Sequence, residues 1–209
     1  MLGLLRKDLY LTAATARAYL TICLLFVVLM AVGVYDVTFL TTFLTLMCIM
    51  LPMNAFAYDE QAKWDKFSAA LPTGREGAAK ARYLFAGLVC LAAAVAAAAL
   101  TLGAWLLGPR EESLGAALLV GVLPSAFGCP LNAVLLPLSY RFGSQKGRIY
   151  LVLAIGGIMG AIFGVLGALS QAGAVPDLPD LLWALLPLCL LTLLPSCRLS
   201  MAILRKKEF

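Results

Sequence analysis

The chain has 209 residues, 63% of them hydrophobic and 13% charged, with a formal net charge of +5 and no histidine. That composition excludes a soluble domain, because lipid rather than water must cover so much apolar surface. In a soluble protein the positive charge would point to nucleic acid; here membrane topology accounts for it, and no nucleic-acid partner is expected.

Residues 1–17 read as a short interfacial helix, with Leu2, Leu5 and Leu9 on one face and Arg6, Lys7 and Tyr10 on another. The other reading is a plain cytoplasmic extension of the first span. Six apolar runs follow: Ala18–Val34, Thr38–Ala57, Tyr83–Leu107, Leu114–Ser139, Ile149–Leu169 and Leu181–Leu199. Each can cross the hydrocarbon core, which takes roughly 20 apolar residues as a helix. The first run follows a charged stretch and lacks a small-x-small cleavage site, so it reads as a retained span. Six crossings put both termini on one side. Fifteen of the 16 Lys and Arg residues fall there, and only Arg110 lies opposite. The outer loops carry Asp36, Glu111, Glu112, Asp177 and Asp180 instead. The positive-inside rule then places both termini in the cytoplasm. The expected fold is an all-α integral membrane protein of six transmembrane helices, a single domain over residues 1–209.

In the second span, Thr38, Thr41, Thr42 and Thr45 follow a helical i, i+3, i+4, i+7 spacing, with Asn54 nearer the cytoplasmic end. They are candidates for lining a translocation pathway; equally, each hydroxyl can bond a carbonyl of its own helix. Asn132 stands isolated within the fourth span.

Residues 58–82 form the most informative segment outside the bilayer. Glu60, Trp64, Phe67 and Leu71 fall at i, i+4, i+7 and i+11, one face of a helix over Tyr58–Leu71. Asp59 and Lys63 stand at ion-pair spacing. Pro72 breaks the run, and Thr73-Gly74-Arg75-Glu76 matches a capping box that starts a new helix. From Gly74 to Leu107 that helix would measure about 50 Å, so it carries a cytoplasmic stalk below the third span. A short transverse helix joined to a stalk makes a lever; the plainer reading is an amphipathic connector resting on lipid.

The third span is rich in alanine, and the fifth carries Gly156, Gly160 and Gly164 at successive i+4 positions. Such stripes of small residues let helix backbones approach closely, within the chain or against a second copy. Pro124, Pro130 and Pro137 in the fourth span, with Pro187 and Pro195 in the sixth, are expected to kink their helices.

The chemistry that is missing narrows the function. There is no G-x-x-x-x-G-K-[ST] loop, and no ionisable residue lies deep within a span, as ion-coupled carriers usually require. The six cysteines lie in apolar runs without a CxxC, which favours packing over metal binding. No catalytic residue, cofactor or metal ligand is expected, and the chain does not read as an enzyme.

Leu4-Leu5-Arg6-Lys7-Asp8-Leu9, Tyr58-Asp59-Glu60-Gln61-Ala62-Lys63-Trp64-Asp65-Lys66, Leu71-Pro72 and Lys80-Ala81-Arg82-Tyr83 occur in the order seen in one membrane-protein family. On these segments the chain resembles the membrane subunits of ATP-binding-cassette exporters of the type-2 permease family, in a small bacterial branch. Beyond Tyr83 the resemblance is architectural. The short outer segment 170–180 departs from larger relatives and leaves little room for an extracellular domain. The resemblance implies a half-channel in the bacterial cytoplasmic membrane. It would pair with a second permease, identical or related, and be driven by separate cytoplasmic P-loop ATPase subunits that use the ATP. It also implies that Tyr58–Leu71 is the coupling helix, with Asp59, Glu60, Trp64, Phe67 and Leu71 at the ATPase interface. Two other classes fit the same features: an ATPase-independent carrier or channel, and a membrane scaffold or immunity-type protein that transports nothing.

Overall fold

The computed structural model describes residues 2–64, 67–68, 74–107, 113–144, 146–147, 149–150, 152–153, 156–157 and 191–206. Its helices are α1 (Leu2–Ala31), α2 (Val37–Gln61), α3 (Gly74–Leu107), α4 (Leu114–Ala126), α5 (Gly128–Phe142) and α6 (Leu193–Lys206), and the described residues contain no strand. Four helical stretches are long and apolar enough to cross a membrane: α1, α2, most of α3, and α4 with α5 taken together. Of the six expected spans, most of the fifth and the first part of the sixth lie outside the described residues.

The N-terminal segment differs from expectation. Residues 2–31 form one unbroken helix, not an interfacial helix followed by a span. The reason is local: between Gly3 and Gly33 there is neither glycine nor proline to turn the chain at Arg17. At 30 residues α1 is about 45 Å long, enough to cross the core and project beyond it. It turns into α2 through Gly33, whose positive φ of 81° suits a residue without Cβ. Phe26, Tyr35, Phe39 and Phe43 pack as an aromatic cluster at this corner, with Phe26 5.0 Å from Phe43 between ring centroids.

Helix α3 runs over the 34 residues expected of the stalk and third span, with Glu76 in its first turn. It touches all the other described helices and forms the axis of the bundle. Its seam is Ala79, Tyr83, Ala86, Cys90, Ala93, Ala97 and Thr101, all buried, spaced alternately four and three until the final turn. Small side chains along that seam allow the close approach that helix packing in lipid relies on. At Gly121 of α4 a Cβ would lie only 2.0 Å from Thr101 Oγ1, so that crossing admits nothing larger than glycine. The five described cysteines are free thiols, and Cys48, Cys90 and Cys129 lie buried in one apolar cluster with Leu44, Met47, Ala93 and Ala97.

Two prolines interrupt the bundle in the same manner. Pro52, inside α2, has no N–H to give the Cys48 carbonyl four residues back. Asn132 on α5 donates its Nδ2 to that oxygen at 2.9 Å. Pro137, inside α5, likewise frees the Ala133 carbonyl, and Ser196 of α6 donates its hydroxyl there. Ser196 Oγ and Ser200 Oγ in turn lie 2.6 and 2.7 Å from the Tyr83 hydroxyl of α3. In lipid a freed carbonyl has no water to turn to, so neighbouring side chains fill the role. The fourth span is interrupted at a single residue whose φ and ψ, −62° and −17°, stay helical. Its two halves meet at Phe127, flanked by Pro124 and Pro130.

Candidate functional site

The cationic end of the bundle, where α1 begins, α2 ends and α3 begins, holds four charged side chains in a closed ring. Lys7 Nζ lies 2.6 Å and 2.8 Å from the two carboxylate oxygens of Asp59. Asp59 also accepts from Arg82 Nη2. Arg82 forks onto Asp8, with Nε at 3.1 Å and Nη2 at 3.2 Å from its two oxygens. Asp8 closes the ring with Lys7 at 3.4 Å. Each carboxylate faces two cations and each cation two carboxylates, so the charges cancel within the ring.

Burial is uneven around it. The Asp8 and Arg82 side chains are 3% and 6% exposed, whereas Asp59 is 13% and Lys7 22% exposed. Arg82 also stacks over Phe56, which packs edge-on against Tyr140 of α5. Lys7 places its ammonium 4.2 Å from the centroid of the Trp64 ring. Removing water from four charges offsets most of their attraction, so such a ring adds little net stability, while loss of one member strands the rest. Its consequence is positional: three segments remote in sequence are held in one register. A cavity of about 60 Å³ lies beside the ring, bounded by Lys7, Asp8, Asp59, Trp64, Arg82 and Tyr140 among others.

Glu60 ties the same end to the far side of α5. One carboxylate oxygen accepts from the Ser144 backbone N–H at 3.0 Å and from the Ser144 hydroxyl. The bend at Gly143, with φ of 86°, makes this approach: a Cβ there would fall 2.6 Å from Glu60 Oε1. Beside it opens a larger cleft of about 660 Å³, lined by Asn54, Tyr58, Gln61, Phe142 and Lys146.

The continuous face expected through Glu60, Trp64, Phe67 and Leu71 is broken. Helix α2 carries the chain as far as Gln61, Ala62 caps it, and Lys63 adopts a positive φ of 51° before helix resumes at Trp64. Asp59 and Glu60 therefore belong to the end of the second span and make contacts inside the chain; Asp59 pairs with Lys7 and Arg82, not with Lys63. Past the break, Trp64 and Phe67 lie 6.3 Å apart between ring centroids, and Phe67 is 66% exposed. Trp64 Nε1 is buried without an acceptor among the described residues. Leu71 lies outside the described residues.

The threonine stripe straddles a boundary: Thr41 and Thr45 are buried, Thr38 and Thr42 exposed. Thr41 and Thr42 donate to the Thr38 carbonyl, and Thr45 to that of Thr41, so these hydroxyls are satisfied on their own helix. Asn54 sits apart from them, on the wall of the larger cleft. Gly160 and Gly164 lie outside the described residues; a Cβ on Gly156 would meet nothing within 4 Å among the described residues. Composition and spacing did not reveal Lys7, Asp8 and Arg82 as site residues. The signal was in the resemblance itself, because all three lie in the motif segments that carry it.

A family model described as ABC-2 family transporter protein matches residues 3–206. No curated protein and no solved structure gives a match. The family match spans nearly the whole chain, takes in all three segments that meet at the charge ring, and agrees with a helical, multi-pass membrane architecture. The chain is thus a permease-type membrane protein belonging to the ABC-2 transporter family.

Proposed function

We infer that this chain is the permease subunit of an ABC exporter, forming half of a translocation pathway and driven by separate cytoplasmic ATPases. In this reading it spans the bacterial cytoplasmic membrane six times with both termini inside, and it pairs with a second permease subunit. It binds no cofactor and catalyses no reaction, ATP being bound and hydrolysed by the partner. One observation carries the reading. At the cationic end, the starts of α1 and α3 and the end of α2 are locked together, and directly beyond the lock the chain presents Trp64 and the exposed Phe67. A push on those aromatics bears on three joined helix ends and so reaches the spans. Access on the two sides of the membrane would then alternate as a population shift powered by the partner's nucleotide.

The test is recovery of the P-loop ATPase that co-purifies with the permease, compared between wild type and Trp64→Ala with Phe67→Ala at equal membrane expression. Loss of buried aromatics at an interface hot spot costs about 2 kcal/mol or more, roughly thirtyfold in affinity. ATPase recovery and ATP-driven export should fall together while the permease still inserts. Equal recovery and equal export would mean the aromatics rest on lipid, and the docking role would be withdrawn.

A further inference from the structure

We propose that Lys7 is a positioning residue that ties the Trp64 site to the buried Arg82–Asp8 pair, so that displacing Trp64 opens one edge of the ring and parts the start of α1 from the end of α2, while Arg82 still holds α1 to α3. The proposal rests on the docking reading above and assigns a relay within it. Two features single out Lys7. It touches three partners of two kinds: the Asp59 and Asp8 carboxylates and the face of the Trp64 indole. It is also the most exposed of the four ring members, so its ammonium can exchange protein for water at the least desolvation cost. Arg82, by contrast, is held by a fork onto Asp8, by Asp59 and by the Phe56 ring, and its side chain is far less exposed than that of Lys7.

Trp64 is poised to move. Its indole N–H is buried with no acceptor among the described residues, an unfavourable state that a new position can relieve. It also sits immediately after the positive-φ residue Lys63, where the chain changes direction. When the indole leaves, Lys7 loses its aromatic contact and keeps only the carboxylates on its more exposed side. The Lys7–Asp59 edge is then the one to open, and the Arg82–Asp8 edge stays shut. The α1–α2 contact between Lys7 and Asp59 thereby reports whether the aromatic site is occupied.

The tie can be read without any partner. Full-length permease in nanodiscs is treated briefly with an isotopically labelled acetylating reagent, and modification of Lys7 is measured by mass spectrometry against exposed Lys146. Trp64→Ala should raise labelling of Lys7 about two- to fivefold, the scale of an exposed cation–π contact, with Lys146 unchanged. Trp64→Phe, which keeps an aromatic face, should raise it less. No rise at Lys7 in Trp64→Ala, or an equal rise at Lys146, overturns the tie. In the presence of the co-purifying ATPase, Lys7→Met should leave recovery of the ATPase at the wild-type level. ATP-driven export should nonetheless fall by about tenfold, within the range of residues that carry coupling between sites. Lys7→Arg should restore most of it. Loss of recovery would make Lys7 part of the docking surface, and unchanged export would make it a bystander; either overturns the relay. Because the labelling arm contains no ATPase, failure of the docking reading leaves the tie between Lys7 and Trp64 separately testable.

Discussion

Replacing Arg82 with Met tests whether the charge ring governs the cationic end of the bundle. The substitution keeps an unbranched apolar side chain and removes the guanidinium, which lies over the Phe56 ring. Asp59 would retain Lys7 at 2.6 Å, but Asp8, whose side chain is 3% exposed, would be left with that same ammonium at 3.4 Å. Breaking a buried pair by deleting one partner costs about 3–5 kcal/mol; with one carboxylate still served, the lower end, about 3 kcal/mol, is expected. Arg82→Lys keeps the charge without the fork and should lose about half as much. Combining Arg82→Met with Asp8→Asn removes the stranded charge and should recover about 1–2 kcal/mol of the loss, a coupling that distant residues do not show. The assay is equilibrium unfolding of the purified chain in mixed micelles with rising denaturing detergent, read by circular dichroism. If Arg82→Met falls within about 0.5 kcal/mol of wild type, as surface substitutions do, the ring holds nothing and the reasoning fails. A double variant whose loss equals the sum of the singles would refute it as well.

Two further outcomes are expected. Asn132→Ala should lower stability by about 1–2 kcal/mol by stranding the Cys48 carbonyl, and adding Pro52→Ala should restore most of it, since an N–H at position 52 can then reach that oxygen; the same unfolding assay checks this, and no rescue would mean the bond to Cys48 is incidental. In a background lacking native thiols, Ser113→Cys should react with an impermeant maleimide outside intact cells, whereas Arg6→Cys and Lys146→Cys should react only after permeabilisation; the reverse pattern would invert the topology.

Four of the expected runs were legible as long apolar helices because lipid imposes a simple condition, a long apolar run with no charge, which α2 and α3 obey over most of their length. The start of α3 was legible for a local reason, Pro72 followed by a capping sequence. The ring was not. Asp59 has Lys63 four residues on, and short-range spacing favours that pair; its partners prove to be Lys7 and Arg82, 52 and 23 residues away. Only the packing of three helices brings them together, and no periodicity within one helix encodes it. The break at Ala62 and Lys63 was hidden similarly: an i, i+4, i+7, i+11 pattern says which residues would share a face if the helix continued, not whether it does. The threonine spacing was correct as geometry, yet the stripe lies across the edge of the buried face, a matter decided by neighbouring helices.

The two proline sites have an evolutionary consequence. In each, the acceptor that joins one helix to its neighbour is a main-chain oxygen, at Cys48 and at Ala133. No substitution at those two positions can delete it, so the joint does not depend on which side chain stands at residue 48 or 133. Selection can act on the joint only through the proline that exposes the oxygen or the donor that reaches it. Pro52 with Asn132, and Pro137 with Ser196, should therefore be gained and lost as pairs in related chains, coupled through a main-chain oxygen that belongs to neither.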